Sequence, residues 1–479
     1  MKTCYRYRLF LLLGVWILFS CSPFKPEVMP DAAGEIPDAY ALYGGELDLT
    51  SPWWESVGSP ELNRLIDTAL SDSFTLKEAW ARLQQARSLA VQAGAALYPD
   101  LSVTGAVEYS RRRSENSFDD SFGSIGEESY AAGLVSSYEL DLWGRIRSQQ
   151  EAALLTVNAT EADLQAASIT VAAEVAERWV GIISQRLQKQ LLEKQLANNL
   201  TFLDLIELRF RKAMVSALDV YQQKQVVESV RARIPLVEAE TQLLMNELAV
   251  LLGRPPRVDI GLTQTEMPVI GKIPAVGLPA DLLASRPDVR AAGMRLKAAE
   301  WQVAAARANR LPALRFTAGA QYGRSDLDLL FDTWLLNLAA NLTAPIFDGG
   351  RRAAVVDQTV AQADEGLWVY RQAVLNGVKE VEDALVSETR QREHISGLQL
   401  VMAAARKGLE EAIQRYRRGL SDYLPVLTQL IAVQDLERDL IRQQETLIRY
   451  RIGLHRALGG GWIGNTDPPE ASIEDADRS

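Results

Sequence analysis

The sequence contains few of the residues that metal, disulfide and acid–base sites require. Its 479 residues include two cysteines and only two histidines, His394 and His455. So few cysteines exclude a disulfide framework and a Cys-rich zinc site, and two histidines leave little for histidine-based catalysis. A formal net charge of −11 argues against nucleic acid as the main partner. No Walker loop, nucleophile elbow or metal-ligand spacing occurs, so we predict a protein that is not an enzyme, has no cofactor and binds no metal.

Long apolar runs are confined to the N-terminus. Leu9–Phe19 follows a basic start and predicts a signal peptide at residues 1–20, too short to span a bilayer. The segment Leu18–Cys21 is similar to a bacterial lipobox, so Cys21 is the predicted lipid attachment site, although Phe19 departs from the small residue usual there. An ordinary signal peptide with an incidental Cys21 is the alternative. No apolar run of helix-spanning length follows, so any membrane-spanning segments have to be β-strands.

The rest of the chain repeats itself. The segment Arg415–Leu420 matches Arg209–Met214 at an offset of 206 positions, and Gly350 matches Gly144 at the same offset. We therefore divide the chain into an N-terminal segment at 21–60, a first repeat at 61–253, a linker at 254–280 and a second repeat at 281–460. An acidic tail at 461–479 is predicted to be disordered.

Each repeat contains two segments in which apolar and polar residues alternate. They predict strands at 101–110 and 129–142, separated by a polar loop at 111–128, and at 313–323 and 332–346. Their length and alternation fit membrane β-strands with one face to lipid and one to a wet lumen. A soluble antiparallel sheet packed on helices would give the same pattern.

Two very long predicted helices decide between membrane β-strands and a soluble sheet. Residues 145–210 and 351–417 are proline-free and rich in good helix formers, and each predicts a helix of roughly 100 Å. Shorter helices are predicted at 216–252 and 422–458, and one before the first strand at 61–97. Helices this long have to pack lengthwise in a bundle or tube. Because four strands cannot close a membrane barrel, the chain has to oligomerise. Two copies would give eight strands, with a barrel filled by side chains, and three copies would give twelve, the first size expected to leave a wet lumen.

In their order and combination, several motifs identify a family resemblance. They are Trp53-Trp54, Leu62–Ile66, Ala81–Leu83, Tyr138–Arg145, Ser285–Arg290, Pro345–Arg351 and Arg415–Gly419. The chain resembles the TolC/OprM-like outer-membrane efflux proteins, specifically the NodT-type lipoproteins of tripartite pumps. The resemblance implies a mainly α protein with a membrane β part. It would be a homotrimer with a 12-stranded β-barrel in the outer membrane, a 12-helix α-barrel in the periplasm and an equatorial belt.

The resemblance also implies a function and partners. The protein would be lipid-anchored in the bacterial outer membrane and would form the exit duct for toxic small molecules. The resemblance implies that a periplasmic adaptor and an inner-membrane transporter of the RND type deliver them. A duct for type I protein secretion is the runner-up, and a non-conducting envelope-spanning structural or adaptor protein is the rival from another class.

Site residues follow from the same resemblance. Gly144 and Gly350 would form the strand-to-helix turns. The periplasmic tip, which closes the pore and meets the adaptor, would comprise Arg209, Phe210, Ala213, Arg415, Tyr416, Gly419, Asp422 and Thr428; a purely structural turn is the alternative. Family members often carry an aspartate ring just after this turn, but the matching positions here are Pro425 and Thr428. We therefore expect a gate without that ring.

Overall fold

The computed structural model describes residues 24–26, 33–41, 52–115, 122–325 and 327–460. The predicted lipid attachment site Cys21, the predicted signal peptide and the predicted disordered tail lie outside this part of the chain. Two compact units are present. The first is built mainly from Leu83–Thr160 and Ala291–Tyr370, and the second mainly from Ala33–Arg82, Glu161–Arg290 and the described residues from Arg371 onward.

Most of the described residues are helical. The helices are α1 (Pro60–Asp72), α2 (Phe74–Ala95), α3 (Arg145–Arg211), α4 (Ala217–Leu251), α5 (Pro287–Ala308), α6 (Arg351–Arg417) and α7 (Leu424–Ala457). The long helices α3 and α6 each have 67 residues. Among the described helices, none combines the length and the apolar character needed to cross a membrane.

The first unit contains a four-stranded antiparallel sheet. Its strands β1 (Asp100–Glu115), β2 (Phe122–Leu140), β3 (Ala313–Arg324) and β4 (Trp334–Thr343) lie in the order β1-β2-β3-β4. The pair β2–β3 joins the two repeats, with Leu140 opposite Leu314. The predicted class, mainly α with four strands per chain, is confirmed.

The apolar positions of the two edge strands are exposed. Val103 and Val107 of β1 are 82% and 74% exposed, and Leu338 and Leu342 of β4 are 74% and 68% exposed. These residues belong to the alternating apolar series found in the sequence. A sheet with an uncovered apolar face requires a partner or a lipid environment to bury it.

The polar loop predicted at 111–128 is too long. The strands continue to Glu115 and start again at Phe122, with Arg111 opposite Gly126 and Glu115 opposite Phe122. Backbone hydrogen bonds hold this part of the ladder, and they do not require an apolar face. The alternation of apolar and polar residues therefore predicts only the part of the hairpin in which one face is apolar.

The predicted helix at 61–97 is interrupted. Ser73 has an extended backbone between α1 and α2, and its N–H donates to the carbonyl of Ala69. The carbonyl of the adjacent Asp72 lies 2.5 Å from where a Cβ on Gly253 would stand, and Gly253 has a φ of 68°. Only glycine fits this approach.

The second repeat has the same contact. Gly459, 206 positions after Gly253, has a φ of 90°, and its Cβ position lies 2.6 Å from the carbonyl of Ser285. Ser285 ends a single helical turn directly before α5. Both repeats therefore contain a helix break with a glycine packed closely against it.

Candidate functional site

The first long helix ends in a tight turn at 212–216, the first tip turn. The N–H of Met214 donates to the carbonyl of Arg209 at 2.9 Å, and the N–H of Ala213 donates to the carbonyl of Phe210 at 2.8 Å. This is the paired hydrogen-bond pattern of a helix C-terminus with a left-handed residue. Ala213 supplies that residue, with a φ of 58°.

The second tip turn, at 418–423, repeats this geometry. Leu420 donates to Arg415 at 2.9 Å, and Gly419 donates to Tyr416 at 3.1 Å. Gly419 has a φ of 71° and matches Ala213 in the first repeat. The predicted tip residues therefore occupy equivalent places in two equivalent turns.

The helices that follow the turns begin differently. In the first repeat, Ser216 and Asp219 form a reciprocal capping box: the Ser216 hydroxyl accepts from the Asp219 N–H, and the Asp219 carboxylate accepts from the Ser216 N–H. In the second repeat, Tyr423 precedes the helix without a side-chain cap, and Pro425 lies in its first turn. Proline there loses no helical hydrogen bond.

The remaining predicted tip residues lie in this second helix start. Asp422 is exposed. The Thr428 hydroxyl donates to the carbonyl of Leu424 at 3.0 Å, so it bonds to its own helix. Pro425 stands where the first repeat has the capping carboxylate of Asp219.

Aromatic packing joins the two turns. The guanidinium of Arg209 lies 4.5 Å from the ring centroid of Tyr416, and the rings of Tyr416 and Tyr423 are 5.5 Å apart. A cation over an aromatic face is attracted by the ring quadrupole. The apolar cluster around them also contains Ile206, Val220, Val226, Ala412, Val426 and Leu427.

A chain of buried hydrogen bonds runs from Tyr423 into the helices. Its hydroxyl donates to Oε1 of Gln223 at 2.7 Å, and Nε2 of Gln223 donates to the carbonyl of Asn199 at 2.8 Å. Asn199 and Gln434 exchange two side-chain hydrogen bonds of 3.2 and 3.0 Å. Burial raises the pKa of the Tyr423 hydroxyl, so it stays protonated and donates.

Several tip residues were missed in the sequence. Met214, Leu218, Leu420 and Leu424 are apolar and are 52% to 64% exposed. The signal was present, because Met214 matches Leu420 and Leu218 matches Leu424 at the repeat offset. The Tyr423–Gln223 bond had no such signal, because the positions equivalent to them are Ala217 and Gln429.

The predicted strand-to-helix turns lie where β2 and β4 lead into the long helices. Gly144 and Gly350 have φ values of 74° and 84°. Asp141 accepts hydrogen bonds from the backbone N–H groups of Ile146 and Arg147. Asp348 accepts from Gly350 and Arg352 in the same way. Each aspartate satisfies free N–H groups at a helix start.

Two carboxylates hold the linker at 254–280, and the first is the half-buried Glu61. Glu61 accepts from the Trp179 indole at 2.8 Å and from the backbone N–H of Thr263 at 2.6 Å. Burial raises the pKa of Glu61, but these hydrogen bonds outweigh it and leave the pKa below its usual value. The carboxylate is therefore charged at neutral pH.

A second carboxylate, Glu388 of α6, is fully buried. It accepts two hydrogen bonds from Arg451 of α7, at 2.9 and 2.6 Å, and also pairs with Arg392. Both arginines donate to the carbonyl of Gly271 in the linker. One buried charge thus fixes two helices and the linker.

Within the part of the chain that the structure describes, no group of three or more His, Cys, Asp or Glu side chains is placed to hold a metal ion. The sequence profile of the outer membrane efflux protein family matches residues 65–254 and 278–460. The chain belongs to this family. These two matches cover the two repeats and leave out most of the linker.

Relatives of this outer membrane efflux protein agree with the assignment. The pyoverdine export outer membrane protein OpmQ of Pseudomonas aeruginosa is 33% identical over 86% of this chain and 87% of its own. The solvent efflux pump outer membrane protein SrpC of Pseudomonas putida is 32% identical over 84% of this chain and 86% of its own. The MtrE outer membrane channel of Neisseria gonorrhoeae, solved in an open state, superimposes with a TM-score of 0.80. It is 26% identical and covers 92% of this chain and 98% of its own.

Proposed function

We propose that this outer membrane efflux protein is the exit duct of a tripartite pump and works as a homotrimer. The observation that carries the proposal is the sheet: β1 and β4 lie at its edges, and their apolar side chains are exposed. Pairing β1 of one copy with β4 of the next closes a 12-stranded barrel without open edges. The same assembly places the apolar face towards lipid.

The cargo we propose is toxic small molecules. A relative that serves pyoverdine export and a relative that belongs to a solvent efflux pump support this proposal. The test is a deletion strain exposed to a panel of solvents, detergents and aromatic acids. We expect susceptibility to rise and to be restored by the intact gene. Unchanged susceptibility together with a lost secreted protein would favour type I secretion instead.

Conduction separates the duct from a non-conducting structural protein. The purified protein is expected to have the mass of a trimer in detergent and to conduct ions in planar bilayers. A detergent-independent monomer without conductance would contradict the proposal.

We propose that the two tip turns close the resting duct and bind a periplasmic adaptor that leads to an inner-membrane transporter. Exposed apolar residues at equivalent places support an adaptor surface that repeats around a trimer: Met214, Leu218, Leu420 and Leu424. The combined Leu218→Asp and Leu424→Asp change should abolish crosslinking to the adaptor while the trimer persists. Leu236→Asp, at an equally exposed leucine of α4, is the matched control.

We further propose that Cys21 carries the lipid anchor. The lipobox-like sequence before it supports this. Labelled palmitate should enter the wild-type protein and not a Cys21→Ser variant. Equal labelling of both would contradict the proposal.

A further inference from the structure

A cavity of about 450 Å³ lies within the first unit, where the strands meet the starts of the long helices. Its walls include Glu139 at the end of β2, Trp143 just beyond it, Arg315 of β3, Asn341 of β4 and Arg352 of α6. This volume is in the range of sites for small organic ligands.

The charges around the cavity are unbalanced in favour of cations. The carboxylate of Glu139 is shared by two guanidinium groups, Arg145 at 2.6 Å and Arg315 at 3.1 Å. The other lining carboxylate, Asp141, is engaged by the backbone N–H groups of α3. Among the described residues, the cavity wall therefore carries three arginines, and Glu139 pairs with two of them, Arg145 and Arg315.

The third arginine has unused hydrogen-bonding capacity. Nε of Arg352 is buried and has no hydrogen-bond partner among the described residues. A buried donor without a partner costs free energy, so the site favours a ligand that accepts from it.

The remaining wall includes apolar residues. Leu142 and Pro345 line it together with Trp143. The Trp143 indole N–H donates to the carbonyl of Pro312 at 2.7 Å, which fixes the orientation of the ring in this wall.

The cavity lies on the polar face of the sheet. Glu139, Arg315 and Asn341 oppose one another across neighbouring strands. The flanking Phe316 and Leu342 are on the other, apolar face, because side chains alternate along a strand. Lipid would contact that apolar face, so the cavity opens to the side of the wet conduit.

We propose that this cavity binds small organic anions, which have one carboxylate or sulfonate on a compact apolar body. The acidic group bonds to Arg352 and Arg315, and the apolar body packs on Trp143. The inference rests on the proposed function for the supply of the ligand, since a conduit brings exported molecules past this wall. Each copy contributes one such site.

The test is the binding of 4-nitrobenzoate to the purified, detergent-solubilised protein by calorimetry and by quenching of tryptophan fluorescence. We expect saturable binding of the acid, and at least tenfold weaker binding of its neutral amide, 4-nitrobenzamide. Arg352→Gln and Arg315→Gln should each lower the affinity for the acid about tenfold, which is the scale of a lost charge-assisted hydrogen bond. Arg352→Lys keeps the charge, so this variant should lose less affinity for the acid than Arg352→Gln.

Two controls make the test specific. Arg324→Gln removes an exposed arginine of β3, the strand of Arg315, that does not line the cavity. This variant should bind 4-nitrobenzoate as the wild type does. Trp143→Phe should remove most of the quenching while heat of binding persists. Trimer mass is checked for each variant, so that loss of binding is read only from assembled protein.

Equal affinity for the acid and the amide, no saturable heat with the wild type, or equal loss in Arg324→Gln would overturn the proposal. So would binding that anionic phospholipid in the micelle abolishes by competition, because the site would then be a lipid site. Binding is measured without a pump. A failure here therefore leaves the exit-duct function intact, and normal binding with unchanged drug susceptibility contradicts only that function.

Discussion

Ala213 and Gly419 occupy the same position in the two repeats, and both have a left-handed backbone, with φ values of 58° and 71°. A left-handed conformation costs a residue with a Cβ about 1 kcal/mol, and glycine nothing. The first tip turn therefore carries a strain that the second does not.

We predict opposite effects when the two residues are exchanged. Gly419→Ala should lower stability by about 1 kcal/mol through backbone strain alone, because nothing lies within 4 Å of the new Cβ. Ala213→Gly should leave stability unchanged or raise it by up to about 1 kcal/mol. Thermal midpoints of the trimer measure both. A loss in Ala213→Gly as large as in Gly419→Ala would contradict the shared geometry.

The buried pair Glu388–Arg451 should be strongly destabilising to break. Glu388→Gln removes the charge that balances Arg451, and an uncompensated buried charge costs about 3–5 kcal/mol. The control is Asp383→Asn on the same helix, where the exposed Lys379–Asp383 pair should contribute less than about 1 kcal/mol. Denaturant titration of the trimer compares them. Equal effects would mean that the burial of Glu388 has no energetic consequence.

His455 should make stability depend on pH. It stacks on Trp53 at 5.4 Å; burial and the charge of nearby Arg451 lower its pKa to about 4, against the opposing charge of Glu388. In the unfolded chain, His455 takes up a proton near pH 6.5. The contribution of uncharged His455 to the free energy of unfolding is therefore fully present above that pH. It is lost as the pH falls towards 4.

Between pH 7 and pH 5 this loss amounts to about 2 kcal/mol. His455→Gln should remove that part of the pH dependence of the thermal midpoint. His394→Gln, at the exposed histidine, should leave the dependence unchanged. An identical pH profile in His455→Gln would contradict the prediction.

The Tyr423 hydroxyl should stabilise the packing of the tip helices. Tyr423→Phe leaves Oε1 of Gln223 buried without its donor, at a cost of about 1–3 kcal/mol. Tyr221→Phe removes a hydroxyl from a residue that is 70% exposed and should cost almost nothing. Hydrogen exchange in the segment around Gln223 would show the loosening locally. Unchanged exchange in Tyr423→Phe would mean that the bond does not hold the tip.

Local patterns in the sequence were sufficient for the helices and for the centres of the strands. Proline-free stretches of helix formers predicted α3 and α6 to within one residue at each end, because helix propensity and proline exclusion act locally. The strand ends near Glu115 and Phe122 were not predictable, because polar residues there are held by hydrogen bonds to a partner strand.

By itself, the sequence determined the repeat, the element types, the turns at Ala213 and Gly419 and the family. The tertiary structure decided which residues meet across long separations. It paired Tyr423 with Gln223 and Glu388 with Arg451. Among the described residues, it also left Nε of Arg352 buried without a hydrogen-bond partner. Such contacts depend on how helices and strands pack against one another. No local pattern predicts that packing. A polar residue on a helix face gives the same sequence pattern whether it contacts water or another side chain.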